Sequence, residues 1–189
     1  MRILEERYDR DRQRLELALR FLTHEARTQT VREWTGLSQH RIRSLYRSNT
    51  GPDACYVPRH RGQSPHQAAY FMRSVKIQQE TAVLANYFSL AGLVPLEPSA
   101  AAGAALPGIG SGHLLCDAFE TYGIMSTAAS ITFEYGVFLA ECLARGDQLR
   151  LHNCCDCGGL IVVERFPIRE KRCHHCAGAA RRGLTARLG

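Results

Sequence analysis

Cys154, Cys157, Cys173 and Cys176 form two C-x2-C pairs separated by fifteen residues. A C-x2-C pair can fold into a tight knuckle that aims two sulfurs at one ion, with backbone amides offsetting the thiolate charge. Two knuckles supply four ligands, the closed tetrahedral set of a structural zinc site, so the expectation is one Zn2+ per chain. Four thiolates leave no open coordination position, which argues against metal catalysis. His152, Cys155, His174 and His175 lie close enough in sequence to substitute as ligands. Cys155 would make a C-x-C with Cys157, a poorer knuckle, and this favours Cys154. Leu160 to Val163, between the pairs, reads as a short strand, and Gly158-Gly159 lets the chain turn after the first knuckle. The whole has the pattern of a zinc ribbon. Cys55, Cys116 and Cys142 stand alone and read as core thiols.

The rest of the chain must position that centre. Its 189 residues suit one or two small domains. No uncharged apolar run reaches about 18 residues, so no membrane span is expected. The first twenty residues mix both charges and lack the apolar stretch of a secretory signal, which points to the cytoplasm, where thiols stay reduced. The net charge of +6 is uneven: +4 over residues 1–50, −3 over 51–163 and +5 over 164–189. Arginine supplies 22 of the 24 basic residues. Its rigid donor fork suits phosphates and guanine edges, although a G+C-rich genome would favour arginine as well. No G-x-S-x-G, phosphate loop or HExxH occurs, and an enzyme is not expected.

Helical periodicity dominates the first 148 residues. Residues 4–26 read as one amphipathic helix with Leu4, Tyr8, Leu15, Ala18, Leu19, Leu22 and Ala26 inward. Residues 28–48 read as two shorter helices broken at Gly36-Leu37, with Ser38 capping the second. This pair has the shape of a helix-turn-helix. Ile42, Leu45 and Tyr46 would pack inward, and His40, Arg43 and Arg47 would share an outer face able to enter a major groove. Arg32 stands where such a motif usually has a small residue, and an ordinary helical hairpin is the competing reading. Residues 49–66 read as a connector, and 67–91 as a helix with Ala68, Met72, Val75, Ala82, Val83 and Leu90 on its buried face. Residues 95–112 read as an Ala/Gly/Pro loop. Helices follow at 113–125 and 128–145, with Ile131, Tyr135, Phe138 and Cys142 on one face of the second. The expected fold is therefore mainly α. A helical body over 1–148 carries the helix-turn-helix-like segment, and a C-terminal four-cysteine zinc-ribbon region with a basic tail fills 149–189. Arg43, Arg47, Arg169, Lys171, Arg172, Arg181 and Arg182 are the candidate DNA contacts.

The order of an LSQHRIRSLYR segment, a Pro/Gly connector, AAYFM, then FLAECLARGDQLRLHNCCDCGG, a second C-x2-C and a short Arg-rich tail resembles the FlhC family. These are subunits of the bacterial flagellar master transcriptional activator. The resemblance runs along most of the chain, with Phe138 to Gly159 its most specific block. It implies a mostly helical fold and carries the family's four zinc ligands onto Cys154, Cys157, Cys173 and Cys176. It also implies a hexamer of two such chains with four FlhD chains. That complex binds and bends promoter DNA, recruits RNA polymerase, and activates flagellar class 2 and some non-flagellar operons. The competing readings are a zinc-stabilised interaction adaptor and a divergent paralogue with different targets.

Overall fold

The computed structural model describes residues 2–48, 63–95, 106–126, 129–166 and 171–185, with side chains described between residues 6 and 179 of these. The chain is mainly helical. Helices α1 (Arg2–Thr23), α2 (Thr28–Thr35) and α3 (Gln39–Ser48) come first. A 3-10 turn (Ala68–Met72), α4 (Val75–Leu90), α5 (Ile109–Met125) and α6 (Phe133–Arg145) follow. Strands β1 (Leu149–Asn153) and β2 (Leu160–Glu164) and helix α7 (His174–Thr185) close the order. No helix among the described residues is long and apolar enough to cross a membrane.

Local chemistry sets most of the boundaries. Gly36 takes φ +68°, a left-handed conformation that glycine adopts without Cβ strain, and its amide closes α2 onto the Arg32 carbonyl. Ser38 then accepts from the Arg41 amide at 3.3 Å and starts α3, as its sequence position suggests. Ser74 does the same for α4, accepting from the Ile77 amide. That cap divides the expected single helix over 67–91 into a 3-10 turn and a separate α-helix.

The core joins the first three helices to α6. Phe21 meets Phe133 edge-on at 5.0 Å and lies 5.8 Å from Trp34. Tyr46 reaches back to donate to the Ala26 carbonyl at 2.7 Å. Ile42 is fully buried beside it, so α3 is anchored through the face expected from its period.

Two buried faces differ from expectation. On α1 the buried residues are Leu17, Ala18, Phe21 and Leu22, whereas Tyr8 is 72% exposed and Leu19 is half-exposed. On α4 they are Ile77, Glu80, Thr81, Leu84, Ala85 and Phe88, while Val75, Val83 and Leu90 point outward. Both helices carry apolar residues on more than one side, so period alone leaves their rotation open. Packing decides it. At Gly112 an added Cβ would lie only 2.5 Å from Leu17 Cδ2 and 3.3 Å from its Cγ. The missing side chain lets α5 press directly onto α1 and turns Leu17 inward.

The same close approach explains why Ile109 to Gly112, read as the end of a loop, is helical instead. Tertiary packing there outweighs the poor helix propensity of glycine. Gly112→Ala should therefore destabilise the chain by about 1–3 kcal/mol through overpacking. Gly110→Ala, whose Cβ would meet nothing within 4 Å, should be neutral or stabilising. Urea denaturation of the two variants checks the contrast in sign. Helix α6 starts at Phe133, later than the expected residue 128, and buries nearly its whole circumference. Residues 49–62 of the connector and residues 96–105 of the Ala/Gly/Pro segment lie outside the described residues.

Strand β1 has no counterpart among the expected elements. It pairs antiparallel with β2, with Leu149 opposite Glu164 and Asn153 opposite Leu160. Leu149 and Leu151 enter the main hydrophobic core, and Leu160 and Val162 pack against it. The hairpin is thereby seated on the helical body. Its loop carries the first knuckle.

Candidate metal centre

Cys154 follows β1 directly, and Cys157 sits at the far side of the turn. The turn is closed by the Gly158 amide donating to the Cys154 carbonyl at 2.9 Å and the Cys154 amide donating to the Gly159 carbonyl at 2.8 Å. Gly158 takes φ +71°, the left-handed geometry that brings the chain back into β2. At Gly159 an added Cβ would stand 3.4 Å from the Cys157 sulfur, an ordinary van der Waals contact. The second pair opens α7. The Cys176 amide donates to the Cys173 sulfur at 3.4 Å, making Cys173 a sulfur cap for that helix. The two knuckles are tied together by the Cys155 amide on the Lys171 carbonyl, 3.0 Å, and by the Cys173 amide on the Cys154 sulfur, 3.2 Å. Arg172 adds an ion pair to Asp156 at 3.3 Å.

The result is a cluster in which one sulfur from each of Cys154, Cys157, Cys173 and Cys176 lies within 4.8 Å of the others. A tetrahedron with metal–sulfur bonds of about 2.3 Å has edges of about 3.8 Å. The Cys157 and Cys173 sulfurs are 3.8 Å apart. The donor set therefore fits a four-coordinate metal ion. Cys155, the alternative ligand, is exposed and directs its sulfur toward the Asp156 carboxylate at 3.7 Å. His174 and His175 are exposed on the first turn of α7.

Electrostatics follow the amide placement. The Cys173, Cys157 and Asp156 backbone amides draw the Cys154 thiol down to about 6, which favours the thiolate. At Cys157 the Gly159 amide pulls the thiol down, but the neighbouring Cys154 and Cys173 sulfurs outweigh it and the net direction is up. Cys176 is raised as well, by the Cys173 and Cys157 sulfurs beside it. Four sulfurs this close cannot all be anionic without a cation among them. Cys116 and Cys142 behave as the expected core thiols, with burial pushing them up to about 12 and about 11. Cys55 lies outside the described residues.

The candidate DNA contacts are not brought into one site. His40, Arg43 and Arg47 are exposed along α3, on the face opposite Ile42 and Tyr46. Arg32 is exposed on α2 and does not lie beneath the turn. Lys171 is half-buried beside β1, and Arg172 is held by Asp156. Arg169 lies outside the described residues. The backbones of Arg181 and Arg182 fall within α7, whose helical form replaces the expected tail up to Thr185. Their side chains are not among those described.

Two groups that position these surfaces are not evident from the sequence pattern. Glu134 is buried on α6 and caps α2 from outside, accepting from the Arg27 amide at 2.8 Å and from Thr30 Oγ1 at 3.1 Å. It links the α2–α3 unit to the helix that leads into β1. A lone acid in the apolar run FEYGVFLA is the available signal, since a buried carboxylate needs donors. Arg150 and Arg165 lie toward the end of the hairpin opposite the Cys154–Gly159 loop. The alternation of Leu149-Arg150-Leu151-His152 is the signal for Arg150. Burial, and Lys171 beside it, hold His152 below the usual histidine range.

In comparisons with known proteins, no family model and no curated protein matches this chain.

Proposed function

We propose that the chain is a zinc-bearing, DNA-binding transcriptional activator subunit of the FlhC type that works in the cytoplasm with FlhD and is not an enzyme. The observation that carries the reading is the four-sulfur cluster of Cys154, Cys157, Cys173 and Cys176, the positions that the resemblance marks as zinc ligands. Zinc is the metal of choice for a closed set of four thiolates, and its role there is structural. The exposed face of His40, Arg43 and Arg47 supports a DNA-reading surface, with α3 anchored from behind by Ile42 and Tyr46.

A partner is favoured by exposed apolar side chains. Leu90 and Ile124 are each 82% exposed, and Met125 is 68% exposed. These residues also favour the second reading, an adaptor in which the metal only clips the fold.

Co-expression with an FlhD chain, followed by mass measurement and a promoter mobility shift, separates the two. A hetero-oligomer that shifts promoter DNA is the expected result. Arg43→Ala with Arg47→Ala should cost about 1–3 kcal/mol on the specific site and little on random DNA. An assembled complex without DNA affinity would leave the adaptor reading. If α3 instead packs on a subunit, the double variant should impair assembly and leave the sequence preference of the surviving complex unchanged.

A further inference from the structure

The outer face of the β-hairpin is built unlike its inner face. Leu149 and Leu151 point into the core, so the alternating residues Arg150 and His152 point away from it. Val163 is paired opposite Arg150 and shares that outer face, and Arg165, two residues on, continues it. The hairpin geometry persists to Arg165, whose amide donates to the Gln148 carbonyl at 2.9 Å. Lys171 comes alongside from the second knuckle. Together with Leu151 and Glu164 these residues line a cleft of about 170 Å³, and among the described residues Glu164 is its one acid.

Among the described residues, Arg150, Arg165 and Lys171 have no carboxylate partner within ion-pair distance. Arg150 Nε donates to the Gly146 carbonyl at 3.0 Å, which fixes the guanidinium without neutralising it. Arg165 lies over the ring of Phe166 at 5.0 Å, and Phe166 is 77% exposed. Among the described residues, three cations without a carboxylate partner thus line one cleft, and the exposed Phe166 ring lies next to one of them, Arg165. The metal-linked knuckles hold one wall of it, through the Cys155 amide on the Lys171 carbonyl.

The geometry points to this cleft as a nucleic-acid contact, in which Arg150, Arg165 and Lys171 take backbone phosphates and Phe166 packs against a sugar or base. The inference rests on the DNA-binding reading above and adds a surface that the helix-turn-helix-like segment does not include. An acidic polypeptide would satisfy the cations, but it has less use for an exposed flat ring. Stacking on aromatic rings beside a cationic groove is how single-stranded nucleic acids are commonly held, and on a duplex the ring has the sugar edge to pack against.

The test is fluorescence anisotropy of the full chain, assembled with its FlhD partner, on a labelled duplex DNA of arbitrary sequence across a salt series. Arg150→Ala, Arg165→Ala and Lys171→Ala combined should flatten the slope of log K against log salt by about 0.9 for each phosphate no longer neutralised. Phe166→Ala should weaken binding several-fold and leave that slope unchanged. The charge-keeping set Arg150→Lys with Arg165→Lys should retain the slope, and metal content verifies that each variant is folded. An unchanged slope in the triple variant, beside weakened binding in the Arg43/Arg47 variant, would overturn the cleft proposal and leave the DNA-binding reading standing. Polyglutamate displacing DNA as well as unlabelled DNA does would reassign the cleft to an acidic polypeptide. Absence of salt-dependent affinity in the unaltered complex would remove the DNA-binding reading, and the cleft proposal with it.

Discussion

Cys176→Ser should cost the chain its bound metal and unfold the region from β1 to α7, and Cys154→Ser should do the same. Cys154 is the most buried of the four candidate ligands and accepts the Cys173 amide that links the two knuckles. Cys176 closes the set from the first turn of α7. Structural zinc contributes apparent binding free energies on the order of 10–16 kcal/mol at neutral pH, and that energy is folding energy where the site forms only on binding. A serine in place of one ligand leaves three sulfurs crowded together with a weaker partner. Strand β1 should lose order with the knuckle it leads into, and α7 should lose its sulfur cap. The helical body has its own core around Phe21, Trp34 and Phe133, so most of the far-UV helix signal should survive. Cys155→Ser should retain the metal, because that sulfur points away toward Asp156. Metal content and thermal unfolding, measured side by side on the three variants, check the order.

Glu80→Ala should destabilise the helical body by roughly 1–3 kcal/mol, because it leaves the buried Tyr122 hydroxyl facing no acceptor. Glu80 Oε2 accepts from the Tyr122 hydroxyl at 2.6 Å and from the Ser130 amide at 2.7 Å, joining α4 to α5 and to the segment before α6. Lys76 stands 3.6 Å from Oε1. Tyr122 is fully buried, whereas Ser130 is exposed, so water can stand in for the carboxylate more readily at the Ser130 amide than at the Tyr122 hydroxyl. Burial pushes the Glu80 carboxyl up, but the Tyr122 and Ser130 hydrogen bonds outweigh it and hold it below the usual carboxylate range. Its folded pKa is therefore lower than its unfolded one. The stabilisation is complete above the unfolded value, about 4.3, and is lost as the pH falls through the folded value. Urea midpoints should accordingly fall on acidification below about pH 4.3 and fall less steeply in Glu80→Ala. Equal acid slopes in the two proteins would mean that Glu80 is not the carboxylate responsible.

The four-cysteine cluster is legible in the sequence because its signal is local. Two C-x2-C pairs need only a turn each, and Gly158-Gly159 lies where the chain must reverse. The α2–α3 break is legible for the same reason, with Gly36 and Ser38 supplying stop and start within three residues. What stays hidden depends on distant parts of the chain. The rotation of α1 follows from Gly112, 95 residues beyond Leu17, and nothing near Leu17 announces it. The inward turn of α4 follows from Glu80 finding Tyr122 and Ser130, which places a charged residue in the core against its usual preference. Helix α7 is hidden because its Ala-, Gly- and Arg-rich run resembles a solvated tail, while Cys173 provides a cap that only the folded knuckle brings into place.

The most direct measurement is the metal content of the purified full-length chain, combined with X-ray absorption at the metal edge. The account predicts one zinc per chain with four sulfur neighbours at about 2.3 Å. A fully folded protein without metal, or a shell in which oxygen or nitrogen replaces any of the four sulfurs, would contradict it.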